Sequence, residues 1–244
     1  MNRAPRFTLA HPPDPYGIAI VAGAELHHMR DVMRLREGAA VELIDSTGRE
    51  YEGAIVAYER DRAVIRVGRS RASQPGTRII LAAATIKGPR MDFLAEKAAE
   101  LGAAELWPIR CARCVAGSPG AARLARWRRL ALAAAKQSRA ARPMAVREPM
   151  EFADLLRGTP PGALAIVCTI GAEPLGGVIR EQPRNEILIA CGPEGDFNDD
   201  ERAAALRAGF VAAGLGPNRL RSETAAIAAV SVAAEAMAAK SRRD

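Results

Sequence analysis

Two short loop motifs contain the residues with the clearest potential for chemistry. They are CGPEGDF at residues 191–197 and LGPNRLRSETA at residues 215–225. Each follows an apolar run that predicts a buried strand, residues 186–190 and 210–213, and each precedes an alanine-rich helical pattern. Ligands of open α/β sheets bind at the carboxyl ends of such strands. The two loops therefore predict two walls of one small-molecule slot.

The first loop favours recognition of a ligand by the main chain. Gly192 and Gly195 let backbone N–H and C=O groups approach a ligand closely, and Pro193 stiffens the turn. Such a loop suits an adenine better than a phosphate. The chain has no G-x-G-x-x-G motif after a strand and no G-x-x-x-x-G-K-[ST] motif. Neither a standard dinucleotide-binding fold nor a P-loop is therefore supported.

The second loop adds two charged residues. Arg221 precedes the predicted helix Thr224–Lys240, where a cation is unfavourable beside the positive end of the helix dipole unless an anion pairs with it. We therefore predict that Arg221 binds a phosphate or a base carbonyl. Ser222 or Thr224 is predicted to cap the helix. Glu223 suits the first helical turn, so a capping role and a chemical role both stay open for it.

The elements that position these loops follow an alternating order. From residue 77 onward strand and helix patterns alternate, which predicts a mainly parallel sheet covered by helices. The predicted strands are residues 78–86, 105–109, 163–168, 186–190 and 210–213. The predicted helices are residues 91–101, 121–140, 224–240 and a short one near 152–156.

The first 70 residues have a different pattern. Short apolar strands with turn signals dominate, and one helical pattern interrupts them, which predicts a small β-barrel. The predicted strands are residues 17–23, 41–44, 51–58 and 63–67, the second and third forming a hairpin, and the predicted helix is 25–35. The stretch SRASQPG at residues 70–76 has the composition of a linker. We therefore predict two domains, residues 1–72 and 73–244.

Composition and cysteine usage narrow the class of protein. The chain has 244 residues, 49% of them hydrophobic, and no apolar stretch of membrane-spanning length, so no membrane partner is predicted. Its N-terminus has no signal-peptide core, which predicts a cytoplasmic protein. The four cysteines suggest no disulfide framework. Cys111 and Cys114 have C-x-x-C spacing, but no second half-site completes a zinc site, and we predict no metal.

The distribution of charge indicates a polyanionic partner. The net charge is +7, and the sequence pI is about 9.7. Between Arg110 and Arg147 there are ten Arg or Lys residues and no Asp or Glu. A block of one sign this long favours nucleic acid over a membrane surface. Solvated helix faces in an arginine-rich chain are the alternative explanation.

Several motifs in series resemble a known family. They are HMRDVMRLREG at residues 28–38, KGPRMDFLAEKAAELG at 87–102, KQSR at 136–139 with Arg142 and Pro143, and then the two loops. In order and spacing this series resembles the bacterial 16S rRNA uridine N3-methyltransferases of the RsmE type. Those enzymes belong to the SPOUT superfamily of knotted methyltransferases. The resemblance covers nearly the whole chain.

The resemblance implies a PUA-like N-terminal RNA-binding β-barrel and a C-terminal α/β domain with a deep trefoil knot, which is a rare topology. It also implies bound S-adenosylmethionine and a homodimer that acts on 16S rRNA of the small ribosomal subunit. The residues that it assigns to the cofactor are Thr169, Ile170, Gly192, Glu194, Gly195, Leu215, Gly216 and Leu220. The chain departs from the family pattern at Lys136, Asp196, Asn218 and Arg219. The stretch between residues 137 and 143 is also one residue shorter than in the family.

The chemistry of the implied reaction suggests roles for the charged residues. The N3 proton of uridine is weakly acidic, so methylation needs alignment of N3 with the methyl group and stabilisation of negative charge on the uracil. We predict that Arg221 pairs with that charge or with the adjacent phosphate. Glu223 is predicted to orient Arg221 or to accept the proton, with helix capping still open. The predicted RNA contacts are Arg34, Arg36, Lys87, Arg90, Arg139 and Arg142.

Two other functions stay open from the sequence. Ribose 2′-O-methyltransferases of the same fold typically carry an Asn-Ser pair where this chain has RSET at residues 221–224, which disfavours them. A non-catalytic RNA-binding ribosome-assembly factor would need only the barrel and the basic block. The intact cofactor loops argue against that second alternative.

Overall fold

The computed structural model describes residues 4–45, 49–71, 78–138, 140 and 142–240. The chain divides into two compact units, residues 1–75 with 139–142 and residues 76–138 with 143–244. The predicted domain boundary between residues 72 and 73 lies outside the described residues. No helix in the described part of the chain is both long enough and apolar enough to cross a membrane.

The N-terminal unit is built on a five-stranded sheet in the order β1-β3-β4-β5-β2. Neighbouring strands are antiparallel except for the parallel pair β1 and β3. The predicted hairpin of β3 and β4 is confirmed, while β1 was not predicted. The strands are β1 Arg6–Thr8, β2 Ile18–Ala22, β3 Ala40–Ile44, β4 Glu50–Tyr58 and β5 Arg62–Arg71.

The helix of this unit differs from the prediction of one regular helix over residues 25–35. Helix α1 spans Gly23–His27 and continues as a π-helical turn over His28–Val32. The N–H of Met33 donates to the carbonyl of His28 at 2.9 Å, an i to i−5 bond that widens the turn. The wider turn buries Met29 completely and leaves Met33 exposed, so the predicted apolar side is not continuous.

The C-terminal unit contains a seven-stranded sheet in the order β12-β10-β11-β6-β7-β8, with β9 also paired to β7. All of its strand pairs are parallel, which confirms the predicted parallel sheet. Strands β8 and β9 and helix α5 were not predicted. The strands are β6 Arg78–Ala84, β7 Glu105–Arg110, β8 Ala145–Val146, β9 Met150–Glu151, β10 Leu164–Cys168, β11 Glu186–Cys191 and β12 Val211–Ala213. The helices are α2 Pro89–Glu100, α3 Ala121–Ser138, α4 Phe152–Arg157, α5 Leu175–Glu181, α6 Asp199–Arg207 and α7 Ser222–Lys240.

Helices cover both faces of this sheet. Successive strand residues point to opposite faces, so the continuous apolar runs of β6, β10 and β11 supply two separate cores. One face packs against α2, α3, α5 and α7, and the other packs against α4 and α6. Burial on both faces fixes the carboxyl ends of the central strands, where the two motif loops begin.

Helix α5 provides a test of stability that does not involve the motif loops. A methyl group added at Gly177 would meet no atom within 4 Å, whereas one at Gly176 would lie 3.2 Å from Nη1 of Arg180. Gly177→Ala is expected to stabilise the protein by about 0.5–1 kcal/mol because alanine favours the helix. The melting temperature should rise by about 2 °C in a calorimetric scan. Gly176→Ala is the matched control, for which we expect a smaller rise in melting temperature. A lower melting temperature for Gly177→Ala would contradict the assignment of α5 as a helix.

Candidate functional site

A cavity opens at the carboxyl edge of the sheet, where β10, β11 and β12 end. It contains about 600 Å³ of non-protein space, part of it continuous with solvent. Strand β10 lies between β11 and β12, so the loop after β10 begins between the starts of the two motif loops. The cavity is lined by Cys168, Thr169, Ile170, Cys191, Gly192, Pro193, Glu194, Asp196, Leu215, Gly216, Asn218, Arg219, Leu220, Ser222 and Ala225.

The loop after β11 turns tightly and packs closely on the chain that follows. A methyl group at Gly192 would lie 3.1 Å from the backbone nitrogen of Phe197, whose ring is fully buried. Asp196 adopts a left-handed φ of 61°, a conformation that aspartate tolerates better than most residues. Its carboxylate accepts a hydrogen bond from the Phe197 N–H at 2.8 Å and lies 3.7 Å from Arg202. These contacts explain how an aspartate is accommodated in the left-handed conformation at position 196.

The loop after β12 provides apolar walls and one buried hydroxyl. Leu215 and Leu220 line the cavity, and Gly216 has a φ of 107° that favours glycine. Ser222 Oγ is buried at the cavity wall and has no hydrogen-bond partner among the described residues. An unsatisfied buried hydroxyl is unfavourable by about 1–3 kcal/mol, so this atom fits a site that a polar group of a ligand completes.

The predicted start of the last helix at Thr224 is wrong by two residues. Helix α7 begins at Ser222, and the carbonyl of Arg221 accepts the first helical hydrogen bond from the Ala225 N–H at 2.8 Å. The Ser222 side chain therefore does not cap the helix as predicted, because its buried hydroxyl makes no hydrogen bond to any described residue. This arrangement places Arg221 between two cavity-lining residues, Leu220 and Ser222.

The loop after β10 supplies the third wall. The N–H of Thr169 donates to the carbonyl of Ala213 at 2.9 Å, which ties this loop to the end of β12. Ile170 lines the cavity although 56% of its surface is exposed. An exposed isoleucine at the mouth of a cavity is suited to contact with a flat apolar ring.

Two cysteines at strand ends also line the cavity. Cys168 and Cys191 lie on neighbouring strands with their Sγ atoms 3.6 Å apart. The hydrogen bond to Cys168, together with burial, raises the pKa of the Cys191 thiol well above its ordinary value. The Cys191 thiol is therefore uncharged near neutral pH, and this part of the wall has apolar character.

One arginine joins the two motif loops. Arg90, at the start of α2, contacts the Glu194 carboxylate at 2.8 Å through Nη2. Its Nη1 atom lies 3.7 Å from Oε2 of Glu223, whose side chain is buried. Arg90 was predicted as an RNA contact and Glu223 as a partner of Arg221, whereas the geometry pairs the two with each other.

The predicted cofactor residues divide into two groups. Gly195 is not among the residues that line the cavity: a methyl group added there would lie 3.3 Å from the Arg113 side chain, which donates a hydrogen bond to the Gly195 carbonyl at 2.8 Å. Its contact with the cofactor stays a prediction. The sequence-based list also missed Ser222 and the two strand-end cysteines, although the position of Cys168 and Cys191 at the carboxyl ends of their strands is a usable signal. The cavity does include Thr169, Ile170, Gly192, Glu194, Leu215, Gly216 and Leu220.

The other predicted RNA-contact residues are exposed where they are described. Arg34 and Arg36 lie after the π-helical turn of the N-terminal unit, and Arg34 has a left-handed φ of 52°. Lys87 is exposed just before α2, and Arg142 is exposed in the segment after α3. Arg139 lies outside the described residues.

The basic block is less uniform in the structure than in the sequence. Acids from elsewhere in the chain neutralise several of its arginines, so the block overstates the positive charge available to a partner. Arg123 and Arg129 on α3 are exposed and have no ion pair among the described residues. The neutralised pairs are Arg110–Glu151, Arg126–Asp92, Arg128–Glu148 and Arg147–Glu105.

Comparisons with known proteins show the family to which this chain belongs. Residues 73–234 match the family model of an RNA methyltransferase domain, and residues 21–68 match an RNA methyltransferase PUA domain. The chain belongs to the RNA methyltransferase family and, within it, to the ribosomal RNA small subunit methyltransferase E proteins. The predicted fold class is thereby confirmed, while the trefoil knot stays a prediction.

The relatives match along most of their length. The protein named ribosomal RNA small subunit methyltransferase E from Mycobacterium bovis is 34% identical over 227 residues, which cover 89% of this chain and 86% of the relative. The protein of the same name from Bacillus subtilis is 27% identical over 224 residues, which cover 86% of this chain and 87% of that relative. A crystal structure of the Neisseria gonorrhoeae protein of this name, bound to S-adenosyl methionine, has a TM-score of 0.80 and 28% identity, covering 93% of this chain and 95% of that one.

The arginine that joins the loops is expected to stabilise the cavity walls. Arg90→Gln should lower the melting temperature and weaken cofactor binding about tenfold, because it leaves the buried Glu223 carboxylate without its cation and releases Glu194. Differential scanning fluorimetry and calorimetric titration measure the two effects. Arg126→Gln, which removes an exposed pair with Asp92 at 2.7 Å, is the matched control and should change little.

A double variant separates the pair from a general loss of charge. Adding Glu223→Gln to Arg90→Gln should recover part of the lost stability, because no unpaired buried carboxylate is left. Additive destabilisation of the two changes would contradict a direct interaction between these side chains.

Proposed function

We propose that this protein transfers the methyl group of S-adenosylmethionine to N3 of one uridine in 16S rRNA of the small ribosomal subunit. The observation that carries the proposal is the cavity at the ends of β10, β11 and β12, with its buried and unpartnered Ser222 hydroxyl. Family membership supports the cofactor and the ribosomal RNA substrate. The choice of N3 follows from the likeness of the whole series of motifs to the uridine N3-methyltransferases.

The residues present fit S-adenosylmethionine. Backbone groups near Gly192 and Gly216 would hold the adenine by hydrogen bonds, and Leu215 and Leu220 would contact its faces. The hydroxyl of Ser222 would pair with a polar atom of the bound molecule. When bound, the cofactor supplies an activated methyl group on its sulfonium.

The protein then has to bind the uracil and stabilise its developing charge. Arg221 is exposed between two residues of the cavity wall, which suits a guanidinium that meets an incoming base or phosphate. We propose that it pairs with a uracil oxygen as N3 loses its proton. Glu223 is held by Arg90. We propose that Glu223 therefore fixes the start of α7 beside Arg221. Acceptance of the N3 proton by Glu223 is the alternative.

RNA binding is proposed to use positive charge from both predicted domains, residues 1–72 and 73–244. The proposed contacts are Arg34, Arg36, Lys87, Arg139 and Arg142. The resemblance also supports a homodimer in the cytoplasm. Phosphate contacts of this kind should make RNA affinity fall steeply with salt.

Mapping of rRNA nucleosides by mass spectrometry tests the proposal. Cells with the protein should contain N3-methyluridine at one 16S position that is unmodified in cells without it. Loss of a ribose-methylated nucleoside instead would assign the 2′-O-methyltransferase function. A calorimetric titration without any S-adenosylmethionine binding, even with RNA present, would assign a non-catalytic assembly factor.

A further inference from the structure

A C-x-x-C turn lies directly after β7, outside the cavity residues. Its four residues are closed by a hydrogen bond from the Cys114 N–H to the Cys111 carbonyl at 3.0 Å. A turn of this form holds its first and fourth Cα atoms within about 7 Å, which is compatible with the Cα separation that a disulfide requires. The backbone therefore already holds the two cysteines at a Cα separation that a disulfide can bridge.

The two thiols of this turn differ in their surroundings. Cys111 is buried, whereas Cys114 is half-buried and borders an open groove beside Glu151, Phe152 and Glu201. The N–H of Cys111 also points at Cys114 Sγ, at 3.2 Å. A hydrogen bond from the Cys111 thiol, together with backbone N–H donors, lowers the pKa of Cys114 to about 7. Cys114 is thus the accessible thiolate, and Cys111 is the protonated thiol behind it.

The same turn supports the first cavity loop. Arg113, between the two cysteines, donates to the Gly195 carbonyl at 2.8 Å, and its side chain fills the space that a methyl group at Gly195 would occupy. The N–H of Ala112 donates to the Glu201 carboxylate at 2.7 Å, and Glu201 closes the capping box at the start of α6. A change in the shape of the turn therefore reaches the loop that lines the cavity.

We propose that Cys111 and Cys114 form a modification site for hydroperoxides, at which Cys114 reacts first and Cys111 completes a reversible disulfide. The Cys114 thiolate attacks the O–O bond of hydrogen peroxide, which gives a sulfenic acid and, after protonation, water. The Cys111 sulfur then attacks Cys114 as the S–O bond breaks, and a second water leaves with the Cys111 proton. In sum, two thiols and one hydrogen peroxide give one disulfide and two waters, and a dithiol reductant reverses the change.

The disulfide should also weaken cofactor binding, since it reshapes the turn that carries Arg113. This consequence rests on the proposed function, whereas formation of the disulfide does not. We expect the dissociation constant for S-adenosylmethionine to rise at least fivefold on oxidation and to recover on reduction.

Peptide mapping of the whole protein tests the disulfide directly. Trypsin cuts after Arg110, Arg113 and Arg123, so peptides 111–113 and 114–123 separate when the thiols are reduced. After treatment with hydrogen peroxide and blocking of free thiols, these two peptides should be recovered joined, from a band of monomer mobility on a non-reducing gel. The joined peptides should persist in a Cys168→Ser, Cys191→Ser variant and be absent in Cys114→Ser. Separate peptides from the oxidised wild-type protein would overturn the proposal.

Two further measurements separate the parts of the proposal. The rate of Cys114 alkylation by iodoacetamide should rise with pH with a midpoint near pH 7, in agreement with the lowered pKa of Cys114 of about 7. A midpoint near pH 9 would contradict the assignment of Cys114 as the reactive thiolate.

Calorimetric titration with S-adenosylmethionine, before and after oxidation, tests the effect on the cavity. A joined peptide with unchanged affinity would refute the link through Arg113. If even the reduced protein does not bind S-adenosylmethionine, the proposed function is wrong. Recovery of the joined peptides would still show, independently of cofactor binding, that the disulfide forms.

Discussion

Arg221→Ala is expected to lower methyl transfer to rRNA by about 100-fold or more, while the dissociation constant for S-adenosylmethionine stays within about twofold. Arg221 is exposed and has no ion pair among the described residues, although it stands at the positive end of α7. A cation there is unfavourable without an anion, so its partner should be the RNA substrate. Because Arg221 is not a wall of the cavity, the cofactor should bind as before.

Single-turnover rates with saturating cofactor measure this effect, and calorimetric titration measures the affinity. Arg207→Ala is the matched control, because Arg207 is exposed in the last turn of α6 and should not affect turnover. Unchanged turnover for Arg221→Ala would remove Arg221 from the proposed chemistry. A loss of cofactor affinity equal to the loss of turnover would assign it to cofactor binding instead.

Gly214→Ala is expected to destabilise the protein by about 1–3 kcal/mol and to weaken cofactor binding more than tenfold. A methyl group at Gly214 would lie 2.5 Å from the backbone carbonyl oxygen of Ala172. The two loop segments cannot move apart freely, because the Gly214 N–H donates to the Glu173 carbonyl at 2.7 Å and the Gly214 carbonyl accepts from the Leu175 N–H at 2.9 Å. The clash therefore displaces two walls of the cavity together.

Urea denaturation and calorimetric titration measure the two effects of Gly214→Ala. Gly117→Ala provides the control, since a methyl group at Gly117 meets no atom within 4 Å and its backbone needs no left-handed φ. Wild-type stability and wild-type affinity in Gly214→Ala would show that the close approach of these two loops does not shape the cavity.

The sequence predicted the elements around the cavity well where apolar runs were continuous and glycine or proline followed them. Strands β6, β7, β10 and β11 were each found within about two residues, because burial on both faces requires uninterrupted apolar residues. Helix α5 was missed because Gly176 and Gly177 disfavour a helix in isolation. Tertiary contacts of Leu175, Val178 and Ile179 with the core stabilise it instead.

The arrangement of the site was harder to predict than its elements. Parallel buried strands have similar sequences, so nothing in the chain indicated that β10 would lie between β11 and β12. The ion pair of Arg90 with Glu223 joins residues far apart in sequence, and no pattern near either residue indicates the other. The contact of the Arg113 side chain beside Gly195 depends on the turn after β7, which the motif around Gly195 does not reveal.

The proposed reaction is tested most directly with S-adenosylmethionine that carries a deuterated methyl group. The purified protein would be incubated with small ribosomal subunits, or with 16S rRNA, from cells that lack it, and the digested nucleosides would be fragmented in a mass spectrometer. We predict one labelled uridine whose label stays on the uracil fragment, and no labelling with Arg221→Ala on the same time scale. Label on the ribose fragment, or an unlabelled RNA in the presence of bound cofactor, would contradict N3 methylation by this protein.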